Sequence, residues 1–220
     1  EKIVNGQPII PVLAQVCEPE ERKVWICQNG LAEFTQRMFT ENTSTEFVFH
    51  NAPFDLFVMG LFRKGREFIR EALESKRITD IGIRFILRQL SLGLMSDQWN
   101  LALVAKTILG VVLEKDETIR LEFRRGMRLT EPFIQYAAKD AAVTAMIRLA
   151  LNRPYPTERY QTLGFVALTA ISRRGMLVDR ARLRSFRERY EESQKTHLQI
   201  LSHFGYRPGE KDNSKHVQKL

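Results

Sequence analysis

The order in which hydrophobic periodicity changes along the chain constrains its fold more than any other feature. Residues 9–17 (IIPVLAQVC) and 24–27 (VWIC) are short β-prone runs separated by the polar turn EPEERK, and they read as a hairpin. Residues 31–39 have helical spacing, and residues 46–50 (EFVFH) form another short β-prone run. Apolar positions then recur at helical spacing through residues 54–62, 78–92, 101–113 and 133–151, with Gly110 and the start signal Thr130-Glu131-Pro132 as punctuation. Strands first and helices after them predict an α/β plan, a mixed sheet flanked by helices. Pro154 and Pro156 mark a break, beyond which residues 160–174, 179–204 and 214–220 are helical with no strand between them. The expected organisation is therefore a domain over residues 1–152 and an all-helical segment over residues 156–220.

Composition narrows the class. Hydrophobic residues make up 44% and charged residues 27% of 220, which excludes disordered, collagenous and low-complexity chains. The longest apolar stretch, residues 101–113, is broken by Lys106 and Thr107, well short of the roughly 18 residues a membrane span needs. Cys17 and Cys27 lie in no metal-binding or redox spacing and are expected to be buried free thiols. His50, His197, His203 and His216 are scattered, which argues against zinc. No address signal is visible, and a cytoplasmic setting is expected, with an organelle left open.

The formal charge of +8 is unevenly spread, with residues 1–50 at −3, residues 51–150 at +4 and residues 151–220 at +7. Arg173, Arg174, Arg180, Arg182, Arg184, Arg187 and Arg189 crowd into one short stretch. Guanidinium groups suit phosphate oxygens bidentately, so a polyanion partner is favoured, with Arg173, Arg174 and Arg180 as candidate contacts to a nucleic-acid backbone. The plainer reading is a solvated helix face, with Glu188, Glu191 and Glu192 at pairing distance along it.

Two strings could carry chemistry. The first, His50-Asn51-Ala52-Pro53-Phe54-Asp55, follows a strand and opens a helix, where α/β sheets present ligand sites. Asp55 is expected to face the cleft, and Asn51 to bridge the turn or reach a substrate. In the second, Tyr136-Ala137-Ala138-Lys139-Asp140, the spacing of four puts the phenol and the carboxylate on one helix face with small alanines between them.

Taken in this order, with 84 residues between the two aspartates and a hairpin before the first, these strings resemble motifs II and III of the DEDDy exonucleases. The resemblance implies an RNase H-like α/β fold and a first motif, D-x-E, that supplies two further carboxylates. Glu1 is the one acidic residue ahead of the hairpin. It would be the Glu of that motif, its Asp lying two positions upstream. The stretch AKTILGVVLEKDETIRLEFRR before LTEPFIQYAAKD is similar to the family's segment leading into the motif III helix. Asp80, in RITDIGIRFILRQL, resembles a structural Asp of the family and stays outside the catalytic set.

The carboxyl-terminal third resembles a more particular family. YQTLGFVALTAISRRGMLVDRARLRSF is similar to the helix, Arg-Gly turn and capped helix at the base of the thumb in family A DNA polymerases, and GYRPGEKDNSKHVQKL to the segment after it. From the residues alone, Gly175 suits a left-handed position after a helix and Asp179 suits an N-cap. No polymerase palm motif is present, so these 220 residues are not expected to synthesise DNA.

The resemblance implies a 3′-5′ proofreading exonuclease of phage or bacterial type, with single-stranded 3′ ends or primer-template DNA as its partner and a polymerase domain carboxyl-terminal to Leu220. The expected cytoplasm is then that of a bacterial or phage-infected cell. It also implies two divalent cations, Mg²⁺ or Mn²⁺, held by Glu1, Asp55 and Asp140. Tyr136 would orient the attacking water, and Asn51 and Phe54 would floor the terminal nucleotide. Two readings on the same residues remain open, an exoribonuclease of this fold and an inactive DNA-binding or structural domain.

Overall fold

The computed structural model describes residues 10–94, 98–113, 119, 122–124, 126–175 and 177–207. The chain divides into two compact units, one ending at Arg173 and the other beginning at Arg174. The prolines predict a boundary at residues 152–157; in the structure the first unit continues past that point. A buried ion pair accounts for the extension. Arg84 makes a two-pronged bond to Glu158, Nε to Oε2 at 2.8 Å and an Nη to Oε1 at 2.7 Å, and its other Nη donates to the Leu151 carbonyl at 2.7 Å.

In the first unit, β1 (Ala14–Glu18) and β2 (Lys23–Cys27) form the expected antiparallel hairpin, pairing Ala14 with Cys27 and Glu18 with Lys23. Helix α1 (Leu31–Glu41) follows, then β3 (Phe47–Phe49) and α2 (Ala52–Met59). The next helix, α3 (Gly65–Glu74), leads into β4 (Ile78–Asp80), which pairs in parallel with β3 in the register Phe47–Ile78, Val48–Thr79 and Phe49–Asp80. Periodicity predicts one helix over residues 78–92; the first three are instead a strand. β-branched Ile78 and Thr79 favour the pleat, and Asp80 starts the helix α4 (Ile81–Ser91) from outside it as N-cap. Then come α5 (Leu101–Leu109), closed by left-handed Gly110, the long α6 (Glu131–Ala150) and α7 (Glu158–Arg174). Among the described residues the strands form a mixed set, one antiparallel pair and one parallel pair in two separate sheets, rather than one continuous sheet.

The β3–β4 ribbon separates two apolar clusters, and its pleat assigns side chains to each. Phe47, Phe49 and Ile78 pack against the cluster of Phe39, Ala52, Leu56, Phe68, Ile69 and Ala72. Val48 points the other way, toward Ile81, Phe85, Leu101, Val104, Val143 and Ile147. Buried Arg77 ties the first cluster to the backbone: it donates to the carbonyls of Phe39 and Asn42 at the end of α1, pairs with Glu71, and lies over the Phe47 ring.

The turn from α2 to α3 is sterically fixed. A Cβ built on Gly65 would stand 2.0 Å from the Met59 carbonyl oxygen, and Lys64 before it is left-handed at φ 61°. Gly65→Ala is therefore expected to lower stability by roughly 1–3 kcal/mol through forced backbone movement, read as a lower urea midpoint. An unchanged midpoint would mean that the turn is slack.

The second unit contains α8 (Arg180–His203). Gly175 is left-handed at φ 70°, and Asp179 caps the helix by accepting from the amides of Ala181 and Arg182, both at 3.0 Å. Residues 214–220, expected to be helical, lie outside the described residues.

Candidate active site

Asp55 stands in the first turn of α2, directly after β3. The turn delivering it is strained: Asn51 is left-handed at φ 69° and ψ 51°, a conformation Asn tolerates better than most residues. Asp80 holds it there. One Asp80 oxygen accepts from the Ala52 amide at 2.8 Å and the other from the Asn51 amide at 3.3 Å. The latter oxygen also accepts from Gly82 at 2.8 Å and Ile83 at 3.3 Å. A single buried carboxylate thus caps α4 and fastens the start of α2, which is the structural role expected of it. Burial pushes the Asp80 carboxyl up, and the four amides oppose that shift.

The Asp55 carboxyl is different. Burial, and then the neighbouring Asp80 charge, push it up from the ordinary 3.8 to about 7, with its own amide the one opposing contribution. Among the described residues it has no ion pair and no side-chain hydrogen bond. A half-buried acid beside another carboxylate, with no cationic partner among the described residues, suits a divalent metal with hard oxygen preference. Phe54 beside it is 40% exposed, an aromatic face left open to solvent.

Asp140 and Tyr136 lie on α6, which packs against β1, β2 and β3. Arg148 of α6 donates to both carboxylate oxygens of Glu46, just before β3, and Val48 packs on the cluster holding Val143 and Ile147. Glu46 and Val48 thus anchor the carboxyl-terminal half of α6 along β3. Tyr136, Asp140, Val143 and Ile147 share one face by helical spacing, and Lys139 is exposed on another. The Tyr136 ring lies 6.0 Å from that of Phe123.

A family model described as 3′-5′ exonuclease, of the DNA polymerase A group, matches residues 12–154. The chain belongs to this 3′-5′ exonuclease family. No curated protein and no solved structure gives a significant match. The match spans both strings that carry the candidate residues, so what it covers is a hydrolytic nuclease domain, and it ends beside the proline break.

Glu1 precedes the match and lies outside the described residues. Among the described residues no three acidic, histidine or cysteine side chains form a group able to hold a metal. Of the candidate residues, the structure brings Asn51, the cap of α2, and Phe54 and Asp55 in its first turn together after β3, while Tyr136 and Asp140 lie on α6. Of the backbone candidates, Arg173 is half-buried with its guanidinium 4.4 Å over the Phe57 ring, whereas Arg174 and Arg180 are exposed.

Two residues around the site, Trp99 and Gly82, escape sequence reasoning, and His50 opens the first string with no role given to it. His50 Nε2 is 2.7 Å from the Trp99 carbonyl oxygen, and the two rings are 5.6 Å apart. The Trp99 ring covers Gly82 so closely that a Cβ there would lie 2.6 Å away. The one available signal is Asp80-Ile81-Gly82, a capping residue with glycine two positions on; the contact from Trp99 is long-range and leaves no local trace.

Proposed function

We propose that this domain is the metal-dependent proofreading exonuclease of a family A DNA polymerase, of the DEDDy type on an RNase H-like fold, from a phage or a bacterium. The carrying observation is the half-buried Asp55 carboxyl just past β3, pushed up by burial and by Asp80, without a cationic partner among the described residues and within a family whose description is 3′-5′ exonuclease. Two Mg²⁺ or Mn²⁺ ions held there would supply a hydroxide at neutral pH and stabilise the departing 3′-oxygen. Asp140 and Glu1 would hold the nucleophile-side ion, Asp55 the other, and the Asp of a complete first motif would bridge them. Tyr136 would orient the attacking water, since a phenol of pKa about 10 positions well and is a poor base at neutral pH. Asn51 and exposed Phe54 would form the floor under the terminal nucleotide.

Residues 156–220 are read as the helical start of the polymerase thumb, with a polymerase domain beyond Leu220. Arg174 and Arg180 are the backbone contacts there, and the cytoplasm is the setting. No helix among the described residues is long and apolar enough to cross a membrane.

The experiment supplies the first motif in full, with an Asp two positions ahead of Glu1, and incubates the protein with 5′-labelled single-stranded DNA in Mg²⁺ or in chelator. A metal-dependent ladder shortening from the 3′ end, lost in Asp140→Ala, is expected. Binding without degradation in both Mg²⁺ and Mn²⁺ would overturn the reading in favour of an inactive DNA-binding domain. Preference for an RNA oligonucleotide would favour the exoribonuclease.

A further inference from the structure

Helix α2 carries more than the active-site turn. Phe57 lies one helical turn beyond Phe54, and Arg173 of α7 stacks its guanidinium over it at 4.4 Å. At the far end of α2 the chain turns sharply through Arg63 and Lys64, both exposed, into exposed Arg66. The Arg66 side chain passes Gly60, its Cγ 3.9 Å from where a Cβ would stand. The turn is held by Gly65 against Met59 and by the left-handed Lys64, so these cations project from a fixed backbone.

None of the four has an ion pair among the described residues, whereas Arg37, Arg77, Arg84 and Arg148 of the same unit are paired with Glu41, Glu71, Glu158 and Glu46. The end of a helix attracts cations through its carbonyls, but that accounts for a fraction of a charge and not for a cluster. Aromatic faces interleaved with cations along one line are the arrangement that binds single-stranded nucleic acid without reading its sequence, bases on the rings and phosphates on the cations.

We propose that Phe54, Phe57, Arg173, Arg66, Arg63 and Lys64 form a track along α2 that holds the single strand on the 5′ side of the bond being cut. The inference rests on the exonuclease reading for its direction: the terminal nucleotide sits at Phe54 beside Asp55, and the preceding nucleotides run toward the basic turn. The track gives the site a preference for strands of several nucleotides over a dinucleotide, independently of base identity.

The test measures binding apart from hydrolysis. In an Asp140→Ala background, fluorescence anisotropy of a labelled thymidine octamer in chelator is compared for Arg63→Ala/Arg66→Ala, Arg173→Leu and Arg173→Lys. Lys106→Ala, an exposed cation on α5, serves as the control for the removal of charge as such. The double variant is expected to bind the octamer roughly tenfold more weakly, with the slope of log affinity against log salt reduced by about 0.7 for each phosphate that is no longer neutralised. Arg173→Leu falls similarly, and Arg173→Lys recovers most of the affinity. A competing dinucleotide, which reaches no further than the Phe54 end, is unaffected.

Octamer affinity within twofold of the parent in the double variant, or an equal loss in Lys106→Ala, would overturn the track. Arg63 and Arg66 are exposed, so an unchanged urea midpoint is expected to exclude misfolding. The two readings separate cleanly. Weakened octamer binding with no hydrolysis by the unmutated protein supports the track and sinks the enzyme reading, whereas hydrolysis with unchanged affinity does the reverse.

Discussion

Asp55→Asn is expected to lower metal-dependent hydrolysis at least about 100-fold, a loss seen even when an outer partner of a metal site is removed. In chelator, the same substitution is expected to make the protein more stable at pH 8. Both follow from one observation, a carboxyl pushed up to about 7 by burial and by the Asp80 charge. A folded-state pKa above the unfolded 3.8 means that the native state binds the proton more tightly. The stability this confers is complete below about pH 4 and falls as pH rises; above about pH 7 the native state carries the full burden of an ionised, desolvated acid. The span corresponds to roughly 4 kcal/mol at most. Asparagine is neutral throughout, so the gain from Asp55→Asn should be small at pH 4.5 and grow to a plateau near pH 8. Urea midpoints at the two values test this directly. Adding Mg²⁺ should then stabilise the wild type more than Asp55→Asn, which keeps only the ion held by the other carboxylates. An equal effect of the substitution at both pH values would show that Asp55 is not held in its protonated form.

The strain in that turn is legible in the sequence in part. A strand, an Asn-Ala-Pro turn and an Asp one position past an aromatic residue suffice to predict a site at a strand end, because every ingredient is local. The hairpin, α1, β3, α5, α6 and the cap at Asp179 are readable for the same reason: alternation, helical spacing and capping residues are short-range signals. Strand β4 is hidden because three residues are too few to break a helical pattern, and what makes Ile78–Asp80 a strand is its parallel partner 31 residues earlier. Helix α3 is passed over although Phe68, Ile69, Ala72 and Leu73 recur at helical spacing on one face of it. The extent of the first unit cannot be read from Pro154 and Pro156. Prolines announce a turn, but the pairing of Arg84 with Glu158 across 74 positions decides what packs after it.

That pairing is expected to carry a large stability effect. Glu158→Ala is expected to cost about 3–5 kcal/mol, since it leaves the Arg84 guanidinium, 1% exposed, buried beside a cavity with no counter-charge. Domains of this kind have only about 5–15 kcal/mol in total, so roughly a fifth or more of the stability is at stake. The loss is greater than the pair's own contribution, because desolvating two charges offsets most of their attraction. The double variant Arg84→Met/Glu158→Leu separates the two quantities. Removing both charges at similar volume should recover most of the urea midpoint, even though the Leu151 carbonyl and the Tyr155 amide lose a partner. Activity should follow a different course. Arg84 lies on α4, whose cap Asp80 also fastens Asn51 and Ala52 at the start of α2, so a shift of α4 moves Asp55. A double variant that regains stability and still hydrolyses DNA poorly would show that the ion pair fixes the register of α4 for the site. One that regains both would show that the charges serve packing alone, and that Asp80 by itself sets the turn.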